Sequence, residues 1–330
     1  MPNDHKKIRV GVVGVGSMGQ HHVRILNQIN DVDFVGFHDL DSARSIQICE
    51  QYSCIAFDSL DELISNVDAL TIAAPTSCHY DMAIKCLDSC KALLVEKPLA
   101  ATVEQAEQIV ELSHLNGVSL MVGHIERYNP AVAKLMELIK TEPEQIVTIE
   151  ARRLNHFDGS RCMDVDVLYD LLIHDIDLAL EIADSEIRSV SASGRPVFSK
   201  LNDIAYTRIE FINGATAILT TSKASPKKTR TISVTTPTRF FEADTIDRSL
   251  VVHRSENLTV DNTGACLMRD FHVEEINVEN REPLRIEIEE FVKCARSSSK
   301  PIVDGYRALK AMKAIELVAN SISSGQTIYF

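Results

Sequence analysis

Ile8-Arg-Val-Gly-Val-Val13 is a short apolar run, and Gly14-Val-Gly16-Ser17-Met18-Gly19 follows it directly, ahead of a helical stretch at 20–29. The run reads as a buried strand, and the glycines as a turn tight enough for backbone to close on a phosphate. Asp33-Phe-Val-Gly-Phe-His38-Asp39 reads as the next strand and ends in an acid 20 residues after Gly19. A glycine pattern alone is weak evidence. Set between a strand and a helix, with a carboxylate closing the following strand, it is the fingerprint of dinucleotide binding. Gly14, Gly16, Ser17, Met18 and Gly19 are therefore expected to cradle a pyrophosphate, and Asp39 to accept ribose hydroxyls. A carboxylate there would repel a 2′-phosphate, and Arg44 is the nearest arginine that follows, so NAD is expected over NADP.

Outward from that stretch, strands at 69–74, 92–95 and 119–123 alternate with helical segments at 41–52, 60–66, 79–89 and 102–116. This alternation makes an α/β fold, a doubly wound parallel sheet of Rossmann type. The rhythm changes near 123–130. A helix opens at Pro130, and Thr-rich alternating segments follow, with Asn213-Gly214 marking a tight hairpin turn between 205–211 and 215–221. Further strands are expected at 231–235 and 250–253. Two closing helices carry apolar stripes, Leu284/Ile288/Phe291/Val292/Ala295 and Ala308/Met312/Ile315/Ala319/Ile322. The expected division is a Rossmann domain at 1–124 and an α+β domain at 125–330 built on a large, mostly antiparallel open sheet. An open sheet needs cover, so a homodimer or homotetramer is expected.

The 330 residues favour two domains, and the 45% hydrophobic and 25% charged shares are those of a globular protein. A formal charge of −13 argues against nucleic acid or an anionic membrane surface as partner. The start shows no apolar leader and no run approaches a membrane span, so a reduced, cytoplasmic protein is expected. Cys86 and Cys90, four apart on a helix, read as packing residues. His21 and His22 read as a solvated first helical turn.

Pro75-Thr76 ends the third strand, where ligands bind in such sheets. His79 either caps the following helix or approaches the cofactor. Glu96-Lys97-Pro98 ends the fourth strand, and proline biases the residue before it towards extended backbone, aiming Lys97 at the nicotinamide. In Val167-Leu-Tyr-Asp170-Leu-Leu-Ile-His174, a carboxylate and an imidazole stand four apart on one helical face, the material for proton transfer.

Gly14 to Gly19, Asp39, Glu96-Lys97-Pro98 and Asp170-x-x-x-His174, in this order, resemble the Gfo/Idh/MocA family of NAD(P)-dependent sugar and inositol dehydrogenases, over essentially the whole chain. The resemblance implies that Lys97, Asp170 and His174 face the substrate as catalytic residues, with His174 as general base or acid. Pro75, Thr76, His79, Glu96 and Lys97 complete the expected cofactor set. One departure stands out: many members carry glycines just before the Asp, where this chain has Val165-Asp166-Val167.

Gly123-His124-Ile-Glu-Arg127-Tyr128-Asn129-Pro130 and the segment 164–177 are similar to the branch that oxidises UDP-N-acetylglucosamine at its 3-hydroxyl. That likeness implies substrate contacts from His124, Arg127, Tyr128 and Asn129. A diphosphate substrate also needs cations, and Arg127, Arg152, Arg153 and Arg161 lie close in sequence. The alternative for Arg152 and Arg153 is the exposed end of an edge strand. His156 and Asp158 lack metal-site spacing, so no metal is expected. The expected reaction is oxidation of a sugar hydroxyl, with a UDP-sugar as substrate. The rivals are a free-sugar or inositol dehydrogenase and a non-enzymatic dinucleotide sensor.

Overall fold

The computed structural model describes residues 7–89, 91–156, 166–260 and 266–330. The first elements are β1 (Ile8–Val13), α1 (Gly19–Leu26), β2 (Val32–His38), α2 (Ser42–Tyr52), α3 (Leu60–Asn66), β3 (Ala69–Ile72), α4 (Thr76–Asp88), β4 (Ala92–Glu96), α5 (Val103–Leu115) and β5 (Leu120–Gly123). A 3₁₀ turn at Ile125–Tyr128, α6 (Pro130–Thr141) and β6 (Thr148–Leu154) follow. A π turn at Leu168–Leu172 runs into α7 (Ile173–Ala183). Then come β7 (Ile187–Arg195), β8 (Ile204–Phe211), β9 (Thr216–Ser222), β10 (Thr229–Thr235), β11 (Arg239–Asp244), β12 (Ser249–Val260) and β13 (Cys266–Ile276). Helices α8 (Pro283–Ser297) and α9 (Gly305–Ser324) and the short β14 (Ile328–Tyr329) close the chain.

The chain forms two compact units, one of residues up to Ile125 together with Glu282–Met312, the other of Glu126–Arg281 with Lys313–Phe330. The single cut expected at 124/125 is thereby corrected. Helix α8 returns to the first unit, where it packs on α1 and β4. Its stripe of Leu284, Ile288, Phe291 and Val292 is buried there.

In the first unit the strands form a parallel sheet ordered β2-β1-β3-β4-β5. The apolar runs are buried on both faces, as parallel strands flanked by helices require. The strand order reverses between β1 and β3, which opens a crevice at the strands' carboxyl ends. Buried Cys86 packs in α4 as expected, and burial pushes its thiol up to about 12. Cys90 lies outside the described residues.

In the second unit the described strands form one sheet, ordered β13-β12-β11-β10-β6-β9-β8-β7-β14. The pairing is antiparallel except between β6 and β9. Strand β6 is central, so the edge-strand reading of Arg152 and Arg153 does not hold. Residues alternate along β6: Ile149, Ala151 and Arg153 are buried, whereas Glu150 and Arg152 face outward. The Asn213-Gly214 connection forms as expected, with Gly214 at φ +92 and the Asn213 side chain accepting from the Ala215 amide at 3.1 Å. Among the described residues no helix is long and apolar enough to cross a membrane.

Candidate active site

The glycine loop is shaped by close approaches. A Cβ on Gly19 would lie 1.8 Å from the Gly14 carbonyl oxygen, and one on Gly14 2.9 Å from the Ala74 backbone. Gly14 also adopts φ +82, which side chains rarely tolerate. Gly16 differs, since its nearest atom would be the Arg44 guanidinium at 3.8 Å. Gly14 and Gly19 therefore let the loop close on the sheet, and Gly16 leaves its backbone open to a ligand.

That loop borders a cavity of about 520 Å³. Of the expected cofactor residues, Gly14, Gly16, Ser17, Met18, Asp39, Pro75, Glu96 and Lys97 line it. They come from the ends of β1, β2, β3 and β4, at the reversal of the sheet. Asp39 is held by two backbone donors, the Val15 amide at 2.7 Å and the Asp41 amide at 2.8 Å. Its carboxylate is thus fixed beside the loop and retains lone pairs for ribose hydroxyls. Arg44 stands 4.0 Å from Asp39 and also lines the cavity. Open glycine backbone, an oriented acid and the N-terminus of α1 fit a dinucleotide.

Gly19, Thr76 and His79 are not among the residues that line the cavity. His79 is 1% exposed and ties two turns together. Its Nδ1 lies 2.9 Å from the Pro98 carbonyl oxygen and its Nε2 2.8 Å from the Ala74 carbonyl oxygen. The question of cap or cofactor contact resolves as neither: His79 clamps the Ala74-Pro75 turn to the Lys97-Pro98 turn.

His22 requires a correction too. It is fully buried, because the α1 face that carries Gly19, Val23 and Leu26 also carries position 22. Its Nε2 donates to Glu96 Oε1 at 3.1 Å, and the Lys97 amide donates to Glu96 Oε2 at 3.3 Å. Burial raises the Glu96 proton affinity, but His22 and Lys97 outweigh it and hold the carboxyl below its usual range. Glu287 of α8 is fully buried, and neither of its oxygens has a hydrogen-bond partner. Burial first, and then the charge of Glu96, push it well above the usual carboxylate range. Glu96 is thus the ionised member of the pair and Glu287 the protonated one.

In the second unit Asp170 lies within the π turn and His174 in the first turn of α7. Both side chains are partly exposed among buried neighbours. The ideal i, i+4 stacking is altered, since the π turn widens the helix at Asp170. Asp166 anchors this turn by accepting from the Leu168 amide at 2.9 Å and the Asn202 side chain at 2.9 Å. That anchor occupies the position where glycines were noted as absent. Lys223, which the sequence reading did not single out, places its ammonium 3.3 Å from Asp170.

The expected substrate arginines lie elsewhere. Arg127 is buried against Asp177, at 2.6 and 3.0 Å, and Glu181, at 2.9 Å. Arg153 is buried against Asp175 and Glu126, each at 2.7 Å. Both guanidiniums serve to fasten α7 to β6 and the 3₁₀ turn, which corrects their assignment as diphosphate anchors. Burial drives Asp175 upward despite Arg153, whereas the opposing pull of Arg153 and Arg230 takes Glu126 below its usual range. Tyr128 is buried, and Asn129 caps α6 while its amide donates to the Thr245 carbonyl at 2.8 Å. His124 is buried in the first unit. Arg161 and Asp158 lie outside the described residues.

Comparison with known proteins agrees with this geometry. Residues 8–124 match the model of the GFO_IDH_MocA oxidoreductase family, NAD-binding Rossmann fold, and residues 140–239 match the GFO/IDH/MocA C-terminal domain. The chain is 29% identical to the UDP-N-acetylglucosamine 3-dehydrogenase of Acidithiobacillus ferrooxidans, over 93% of this chain and 95% of that enzyme. It is 25% identical to the scyllo-inositol 2-dehydrogenase (NAD(+)) of Bacillus subtilis, over 98% and 96% of the two chains. A solved structure of the Acidithiobacillus enzyme superposes with a TM-score of 0.87, covering 96% of this chain and 98% of that one at 27% identity. With a dinucleotide cradle and both family domains in place, the chain belongs to the Gfo/Idh/MocA family of NAD-dependent oxidoreductases.

Proposed function

We propose that the protein oxidises the 3-hydroxyl of a UDP-linked N-acetylated hexosamine, giving a 3-keto nucleotide sugar. The observation that carries this reading is the end-to-end likeness to a UDP-N-acetylglucosamine 3-dehydrogenase, 29% identical against 25% for the inositol enzyme. Bound NAD supplies the hydride acceptor. His174 takes the hydroxyl proton as the carbon gives up its hydride, so a secondary alcohol becomes a ketone. Lys97, at the rim of the cofactor cavity, hydrogen-bonds the oxygen as its carbonyl character grows. Asp170 orients the sugar and sets the charge around His174.

The second reading is a free-sugar or inositol dehydrogenase, favoured by the full-length likeness to the scyllo-inositol enzyme. NADH formation against UDP-sugars, free sugars and inositols separates the two. Fast turnover of a UDP-sugar with competition by UDP is expected; equal rates on free N-acetylglucosamine or an inositol, without inhibition by UDP, select the second reading.

The outward sheet face also supports self-association. Tyr206 and Ile218 are exposed there, flanked through strand register by Thr220, Arg208, Glu150 and Arg152. A second copy covering this face makes a homodimer or homotetramer, and a monomer in light scattering at micromolar concentration would refute it.

A further inference from the structure

The chain carries 47 acidic residues, yet none falls between Glu210 and Glu242. Within that acid-free stretch Lys223, Lys227 and Lys228 crowd into the loop that joins β9 to β10. Strand β6 lies between β9 and β10, with Leu154 paired to Ser222 on one side and Thr229 on the other. The loop therefore arches over the carboxyl end of β6. It is pinned there: the Asn155 amide donates to the Ser222 carbonyl at 2.8 Å, and the Ser225 amide to the Asn155 carbonyl at 3.1 Å. Further bonds from the Ala224 amide to Ser222 Oγ, 2.9 Å, and from the Lys227 amide to Ser225 Oγ, 3.2 Å, set the backbone. At one end Lys223 meets Asp170 at 3.3 Å, and Lys227 and Lys228 are exposed.

A net charge of −13 repels an anionic ligand at long range, so one that binds needs a local cluster of cations. Arg127 and Arg153 are consumed by buried carboxylates. Ammonium groups are compact charges well matched to phosphate oxygens. We propose that the loop 223–228 is the subsite for the diphosphate of a nucleotide-linked substrate, with Lys227 and Lys228 on the phosphates and Lys223 joining that subsite to Asp170. This rests on the nucleotide-sugar reading and assigns its recognition to residues outside the catalytic set.

The test measures binding of UDP and of inorganic pyrophosphate with the dinucleotide pocket filled by NADH. It compares the wild type, the double variant K227E/K228E and, as a control, Lys293→Glu on exposed α8 surface. The double variant is expected to bind both probes at least tenfold more weakly, to lose most of the salt dependence and to raise KM for the UDP-sugar. NADH affinity should be unchanged, and the control should behave as wild type. If UDP binds the wild type and the double variant equally, the loop is not the subsite, although the nucleotide-sugar reading survives. If free sugars are oxidised as fast as UDP-sugars while both probes still bind in a lysine-dependent way, that reading falls and the subsite stands. Failure of the wild type to bind either probe overturns the loop proposal.

Discussion

Replacing Glu287 with glutamine should stabilise the protein, and increasingly so as pH rises. The glutamine keeps the size of a protonated glutamic acid and removes only the ability to ionise. Native Glu287 is held protonated by burial and by the charge of Glu96, with no hydrogen bond to ease ionisation. In the unfolded chain an ordinary glutamate ionises near pH 4.3. The native state thus binds one proton more than the unfolded state from that pH up to the raised native value. Across this window stability falls by about 1.4 kcal/mol per pH unit. The glutamine variant lacks this slope. Its melting temperature should pull away from the wild type by roughly 3–6 °C per pH unit, at about 2–4 °C per kcal/mol for a unit of 150–250 residues. The opposite contribution from Glu96, whose depressed value gives stability lost only in acid, lies below the window. Calorimetric scans at pH steps upward from about pH 5 read the effect. Parallel curves for the two proteins would refute the reasoning, because they would mean that Glu287 is ionised in the native state.

Lys97→Ala and His174→Ala should each lower turnover by about 10²–10⁴-fold, and in His174→Ala NADH binding, followed by fluorescence, should stay nearly unchanged. Asp39→Ala should weaken NADH far more than NADPH in the same titration, and a tenfold wild-type preference for NADP would contradict the role given to that carboxylate. Arg153→Ala should act on folding, destabilising by about 3–5 kcal/mol in denaturant unfolding, because Asp175 and Glu126 would remain buried without their partner. A large rise in KM with unchanged stability would return Arg153 to substrate binding.

The cofactor half was legible because its signals are local. A glycine turn, strand ends and an acid at a set spacing are fixed by backbone geometry within one βαβ unit. The misassigned residues share a different character, being polar side chains in apolar periods. Position 22 follows Gly19 by three and precedes Leu26 by four, the spacing of a buried helical face. Glu287 falls between Leu284 and Phe291 in the same way, and Arg153 continues the alternation of Ile149 and Ala151. The periods thus marked these groups as buried, but the partners that make burial tolerable come from distant segments, which periodicity does not reveal. The π turn at Asp170 has no local signature either. The acid-free stretch around Lys223 was open to inspection and needed only a count of charges.

Because α8 completes the first unit, that unit is finished late in synthesis. Arg24 on α1 pairs with Glu282, 258 residues further along, and Glu287 meets the charge of Glu96 from a position much later in the chain. A ribosome has therefore made the whole of the Glu126–Arg281 segment before the first βαβ units receive α8. Until then the α1 and β4 surfaces that α8 covers are open to solvent, to chaperones and to other nascent chains. Closing so long a loop adds only a slowly growing entropic cost, but it places this contact at the end of the folding order. A nascent chain halted after Arg281 would carry every glycine of the cofactor loop and yet lack the helix that backs Glu96, so cofactor competence waits for a helix made long after the loop itself.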